Sequence, residues 1–430
     1  MLNSTSQAWR DPSAASARLP GKGSDLLAET VTSIARQVVD QASYAANGDL
    51  YWLGPLVVEQ GRALPRPLGP YLYPGTTGVA LFLAACERCG RLEGAGELSL
   101  RALAPLRREL AALRAAPEEA KLQHLLGGLS GLGSILYALV RIGDLLEKPE
   151  LHEEAHFLSS FLTPEQIAAD DRFDVMFGSA GALLALLCLG ERNSPPNARG
   201  KTPPQLAELC AEHLLRHRAA SPAGHRSWAN GPSGQPVGGF AHGAAGIAYA
   251  LLRFFALTGR EDAAAAAREG IAFERTLFVP DRGDWRIAWR PEPHFTNTWC
   301  NGAPGIALGR IGGLPGERDA SIEREIELAL LRTASPELEA ADHLCCGNFG
   351  RVEVLLFAAR RLDRPDLMEA ARQLALRAVE RARATGDFGL MPANAGLFDP
   401  RLFLGITGIG YGLLHLLEPG AALPCVLAME

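Results

Sequence analysis

The chain has 430 residues and no interior stretch that reads as a linker, so one large unit is expected rather than a string of small domains. Hydrophobic residues make up 47% and charged residues 21%; a sizeable core can be buried, and the excess of Leu and Ala over β-branched residues favours helix. The 42 basic and 48 acidic residues leave a net charge of −6, which argues against a nucleic-acid binder, and no uncharged apolar run is long enough to span a bilayer.

Residues 1–26 are polar and rich in Ser, Ala and Pro. They lack the apolar stretch of a secretory signal and are expected to be a flexible tail on a cytoplasmic protein. Residues 27–430 are expected to form one body. The eight cysteines are Cys86, Cys89, Cys188, Cys210, Cys300, Cys345, Cys346 and Cys425. They are too few for a disulfide scaffold and are expected as reduced thiols, some of them metal ligands.

A Gly-x-x-Gly pattern followed by an apolar stretch recurs along the chain. It stands at Gly75–Gly78, at Gly131–Ser134 with Ser in the last place, then at Gly178–Gly181, Gly243–Gly246, Gly302–Gly305, Gly347–Gly350 and Gly405–Gly408. The seven copies are 45 to 65 residues apart. The stretches after the glycines are hydrophobic all round, which marks buried helices, while intervening segments such as 367–383 are amphipathic. The pattern predicts seven helical hairpins, each an inner and an outer helix, closed into an all-α (α/α)7 toroid. An open solenoid would need polar caps, and the last copy is as apolar as the middle ones. Glycine suits these positions because it tolerates unusual backbone angles and lets another backbone approach closely.

Reactive side chains sit beside three of the glycines. Cys300 lies two residues before Gly302, and Cys345 and Cys346 directly precede Gly347, so all three thiols are expected at one end of the ring. Three thiolates with one open position suit a catalytic zinc. Small buried hydrophobes are the competing reading, and a strained vicinal disulfide a lesser one. His242 precedes Gly243 in the same register, and Asp174 lies four residues before Gly178. Asp174 can cap a helix or orient His242 through a charged hydrogen bond.

The segments GGFAHGAAGIA, WCNGAPGIALGR, LCCGNFG and FLGITGIGYGLLHLLEP resemble the lanthionine synthetase cyclase family, and most the C-terminal cyclase half of class II lanthipeptide synthetases. The resemblance implies a single catalytic zinc held by Cys300, Cys345 and Cys346, with His242 and Asp174 in the cavity. It implies addition of peptide cysteine thiols to dehydroalanine or dehydrobutyrine, giving lanthionine or methyllanthionine rings. It also implies a dehydrated precursor peptide as partner and a dehydratase, separate or fused, to supply it. The chain departs from the family pattern in three places. Cys346 stands where many members have His, Thr296 where class I cyclases carry Arg, and Asn301 where Tyr or His is common. In this scheme His242 protonates the enolate left by thiol addition, with Asp174 orienting it. Two further readings are a glutathione-adding relative and a non-catalytic zinc-containing peptide-binding module.

Two strings are expected to be decoys. His152-Glu153-Glu154-Ala155-His156 has zinc-protease spacing but reads as an outer helix without a third ligand. Cys86-x-x-Cys89 ends an apolar helix with no partner pair nearby.

Overall fold

The computed structural model describes residues 22–57, 63–115, 125–192, 195–221, 224–391 and 396–430. Residues 1–21, most of the expected tail, lie outside these. Among these residues, sixteen α-helices follow in chain order. The first is α1 (Lys22–Asp40). After it come α2 (Thr76–Arg88) with α3 (Ala95–Ala102) and α4 (Ala104–Ala115), then α5 (Leu132–Leu146) with α6 (Pro149–Leu158) and the short α7 (Pro164–Ala168). The pairs α8 (Ser179–Gly190) and α9 (Pro203–Arg216), and α10 (Ala244–Thr258) and α11 (Glu261–Arg275), follow. Next are α12 (Ala303–Gly313) and α13 (Ala320–Thr333), α14 (Asn348–Leu362) and α15 (Pro365–Thr385), and finally α16 (Ile406–Leu417). Among the described residues, β structure is limited to four two-stranded hairpins in the connections.

The first glycine of each repeat is the N-cap of an inner helix. These helices are apolar all round because they are covered on every side. In α8, every residue from Ser179 to Leu189 is buried. Each fully buried leucine contributes about 1.5–3 kcal/mol, so the inner ring dominates the core. Neighbouring inner helices pack in the order α2, α5, α8, α10, α12, α14, α16, and α16 returns to α2. The expected toroid is therefore closed.

The outer layer departs from seven equal hairpins: α2 and α5 are each followed by two outer helices. Among the described residues no outer helix follows α16; its cover is α1, from an earlier part of the chain, which packs on both α16 and α15. The apolar stripe of α1 (Leu27, Val31, Ile34, Ala35, Val38) is buried in that contact.

The axis of the ring is filled by residues 423–430. Leu423 and Cys425–Met429 are buried. Tyr411 Oη donates to the Pro424 carbonyl at 2.8 Å, Tyr249 Oη to the Ala428 carbonyl at 3.0 Å and Tyr137 Oη to a Glu430 oxygen at 3.1 Å. These tyrosines come from three inner helices, and each satisfies a polar group of the segment that burial would otherwise leave unpaired. No helix among the described residues is long and apolar enough to cross a membrane.

Candidate metal centre

The loops leading into the inner helices meet at one end of the ring, and hydrogen bonds between them set the register. Two residues before each repeat glycine, Tyr73 N–H donates to Leu129 C=O (2.9 Å), Leu129 to Met176 (3.4 Å), Met176 to Ala241 (3.1 Å) and Ala241 to Cys300 (3.2 Å). Cys345 N–H donates to Phe403 C=O (3.0 Å). Among the described residues, the steps from Cys300 to Cys345 and from Phe403 to Tyr73 carry no such bond. At the first of these gaps the thiols gather.

Cys300, Cys345 and Cys346 have their sulfurs within 4.8 Å of one another. Cys346 Sγ is 3.2 Å from both Cys300 Sγ and Cys345 Sγ. Among the described residues this is the one cluster of His, Cys, Asp or Glu with metal-ligand spacing. Gly347, which follows the adjacent thiols, has an extended φ of −124°, and a larger residue is excluded there by closeness: a Cβ would lie 2.6 Å from the backbone of Asp342 and His343.

The thiols do not ionise equally. Hydrogen bonds from Cys345 and Cys346 hold the Cys300 pKa well below the usual thiol range. The bond to Cys300 and burial push Cys345 and Cys346 up. Three thiolates this close would repel strongly without a cation among them. The donor set therefore fits a zinc ion, a tetrahedral thiolate binder. Cys300 Sγ also accepts from Asn301 Nδ2 at 3.4 Å and lies 3.5 Å from Thr298 Oγ1. Thr298 Oγ1 donates in turn to Thr296 Oγ1 at 3.2 Å.

His242 Nδ1 is 2.8 Å from Asp174 Oδ2, so the two expected cavity residues are brought together. Asp174 is held by a second bond, from Phe177 N–H to its Oδ1 at 2.7 Å, and is 5% exposed. Burial alone would lower the His242 pKa. The hydrogen bond and charge of Asp174, with a smaller contribution from Cys300, outweigh it and raise the value above the ordinary histidine range. The other nitrogen, Nε2, is bonded by no protein group among the described residues, and the side chain is 36% exposed.

Two residues at the site escaped the sequence reading. Tyr73 stacks on Phe403 with centroids 4.9 Å apart. Burial, and then the neighbouring Cys345, raise its pKa, so the hydroxyl stays protonated. It could have been found by register, since it stands two residues before Gly75 as Cys300 does before Gly302. His343 is fully buried, which lowers its pKa. Its Nδ1 accepts from Cys346 N–H at 3.3 Å. It braces the thiol loop as neutral imidazole and is not a member of the cluster. The protease-like string lies on α6, where His152 Nε2 meets Asp144 and the Val140 carbonyl, away from any metal-like grouping.

The family described as lanthionine synthetase C-like protein matches residues 66–428. No curated protein sequence matches the chain. Among solved structures, nisin cyclase aligns with a TM-score of 0.63 at 16% identity, over 84% of this chain and 92% of its own. At that identity the likeness shows the fold. An unsaturated glucuronyl hydrolase from Bacillus sp. GL1 aligns with a TM-score of 0.46 at 12% identity, over 93% of this chain and 97% of its own. An α-1,6-mannanase from Salegentibacter sp. HEL1_6 aligns with a TM-score of 0.45 at 12% identity, over 93% and 100%. These last two are too distant to bear on function.

Proposed function

Because the chain belongs to the lanthionine synthetase C-like family, we propose that it closes thioether rings in a dehydrated peptide by adding cysteine thiols to dehydroalanine or dehydrobutyrine. The observation that carries this reading is the meeting of three sulfurs within 4.8 Å, at the end of the ring where His242 and Asp174 also pair. Cys300, Cys345 and Cys346 would hold the metal. A zinc ion bound there supplies Lewis acidity that lowers the pKa of a thiol brought to it.

The protein's own groups do the rest. Asp174 takes the Nδ1 proton of His242 in a hydrogen bond and fixes the ring orientation, which leaves Nε2 for the cavity. The raised pKa favours the doubly protonated ring, with a proton on Nε2. Thiol addition at the β-carbon places a carbanion-like enolate at the α-carbon, and His242 Nε2–H is the group placed to protonate it. Asn301 donates to the Cys300 sulfur. Such a donor offsets part of the charge that three thiolates concentrate.

The test is mass spectrometry of a dehydrated precursor peptide incubated with the zinc-loaded protein, followed by thiol alkylation. Loss of alkylation at constant peptide mass is the expected outcome. A glutathione adduct formed on added glutathione would instead support the glutathione-adding reading. No change in either assay overturns both and leaves a binding module.

A further inference from the structure

Eight residues after the first glycine of each repeat, six inner helices carry a leucine: Leu83, Leu139, Leu186, Leu251, Leu355 and Leu413, each at 0% exposure. In the repeat entered from Cys300 the same position is Arg310, and it is 2% exposed. A guanidinium in a leucine slot is costly unless its partners offset the desolvation. Arg310 Nη2 meets Glu274 Oε2 of α11 at 3.0 Å, and both side chains are sealed from solvent. Its Nε donates to Glu325 Oε2 of α13 at 2.8 Å, and Arg275 bonds the same carboxylate.

The network reaches the thiol end through one atom. Glu274 Oε1 accepts from Gly239 N–H at 2.8 Å. Gly239 has φ +96°, a conformation that suits glycine, and a Cβ there would lie 2.6 Å from the Cys300 carbonyl oxygen and 2.7 Å from Asn301 Cα. Two residues on, Ala241 N–H donates to the Cys300 carbonyl at 3.2 Å. The loop that carries His242 is thus pressed against the backbone that carries Cys300, and Glu274 ties it from behind. A buried ion pair is weak grounds for a stability role, since apolar side chains of similar volume often serve as well. The bond to Gly239 is a different matter, because a leucine cannot make it.

We propose that Glu274 and Arg310 are positioning residues: Arg310 fixes the Glu274 carboxylate, Glu274 fixes Gly239, and the anchored loop sets the distance between His242 and the thiol cluster. The proposal rests on the ring-closing reading for its effect on rate, and on geometry alone for its effect on the loop. The test compares two double variants of the zinc-loaded protein. Glu274→Leu with Arg310→Leu restores the leucine pattern but removes the acceptor; Glu274→Gln with Arg310→Leu keeps an acceptor for Gly239. Ring closure should slow by about tenfold or more in the first, at unchanged zinc content, and recover to within about threefold of wild type in the second. In a His242→Asn background the first double variant should add no further slowing, because its effect acts through His242. Hydrogen exchange at the Gly239 amide should speed up in the first variant only, and this needs no substrate. Equal slowing in both double variants, the same slowing without His242, or unchanged Gly239 exchange would overturn the proposal. If the wild-type protein closes no rings, the functional reading fails, and Gly239 exchange alone decides whether the anchor exists.

Discussion

Two of the histidine–carboxylate pairs in the ring are joined at the same 2.8 Å, His242 with Asp174 and His415 with Glu353. His415 is 1% exposed and Glu353 0%, and the second nitrogen of His415 is taken by the Leu423 carbonyl at 2.7 Å. That pair pins the axial segment to α14 and α16, and both ring nitrogens of His415 are taken. His242 stands over a third exposed, with no protein partner for its second nitrogen among the described residues, and is near enough to Cys300 to feel its charge. The same chemical couple is a structural pin in one place and a candidate proton donor in the other. Access and the spare nitrogen make the difference, and neither is visible in the pair itself.

The comparison can be broken or sharpened by substitution. The largest effect is expected at the thiols. Cys300→Ala should abolish stoichiometric zinc by elemental analysis and bring ring closure to the uncatalysed level, and a chelator strong enough to strip the zinc should do the same. The helical content seen by circular dichroism should survive, because the inner helices and not the thiols bury the core.

His242→Asn should slow ring closure by about 10²–10⁴-fold while zinc stays bound. Normal rates in that variant would remove His242 from the mechanism. His415→Asn should behave in the opposite way. It leaves the buried Glu353 carboxyl without its hydrogen-bond partner and should cost about 1–3 kcal/mol in denaturant unfolding, with the rate per folded, zinc-loaded molecule little changed. A pin that altered the rate as much as His242 does would collapse the distinction.

A smaller effect is expected from pH. The His242 pKa is raised in the folded state, so its stabilising contribution is fully present below the unfolded value and fades as pH rises through the folded one. Activity that needs the imidazolium should fall on the same alkaline limb. Asp174→Asn removes the raising partner, and the limb should move to lower pH in a rate profile. Least of all, Tyr249→Phe removes a hydroxyl that is shared between Ala428 C=O and Glu430 Oε1 of the axial segment and also accepts from Arg253, and should cost about 1–2 kcal/mol in thermal unfolding without touching zinc content.

The sequence by itself determined the parts that are written locally. Seven glycine pairs before apolar helices imply a ring of buried helices, and thiols in register with those glycines imply convergence at one end, because a residue just ahead of a helix N-cap points where that helix end points. His242 and Asp174 were legible for the same reason, and Tyr73 would have been, had the register been followed into the first repeat. Only the tertiary structure decided the rest. That α1 covers α16, that residues 423–430 fill the axis, and that Arg310 reaches Gly239 through Glu274 all depend on groups from distant parts of the chain meeting in space. Burial sets these pairings, since each sealed polar atom must find a partner wherever the closed ring happens to bring one.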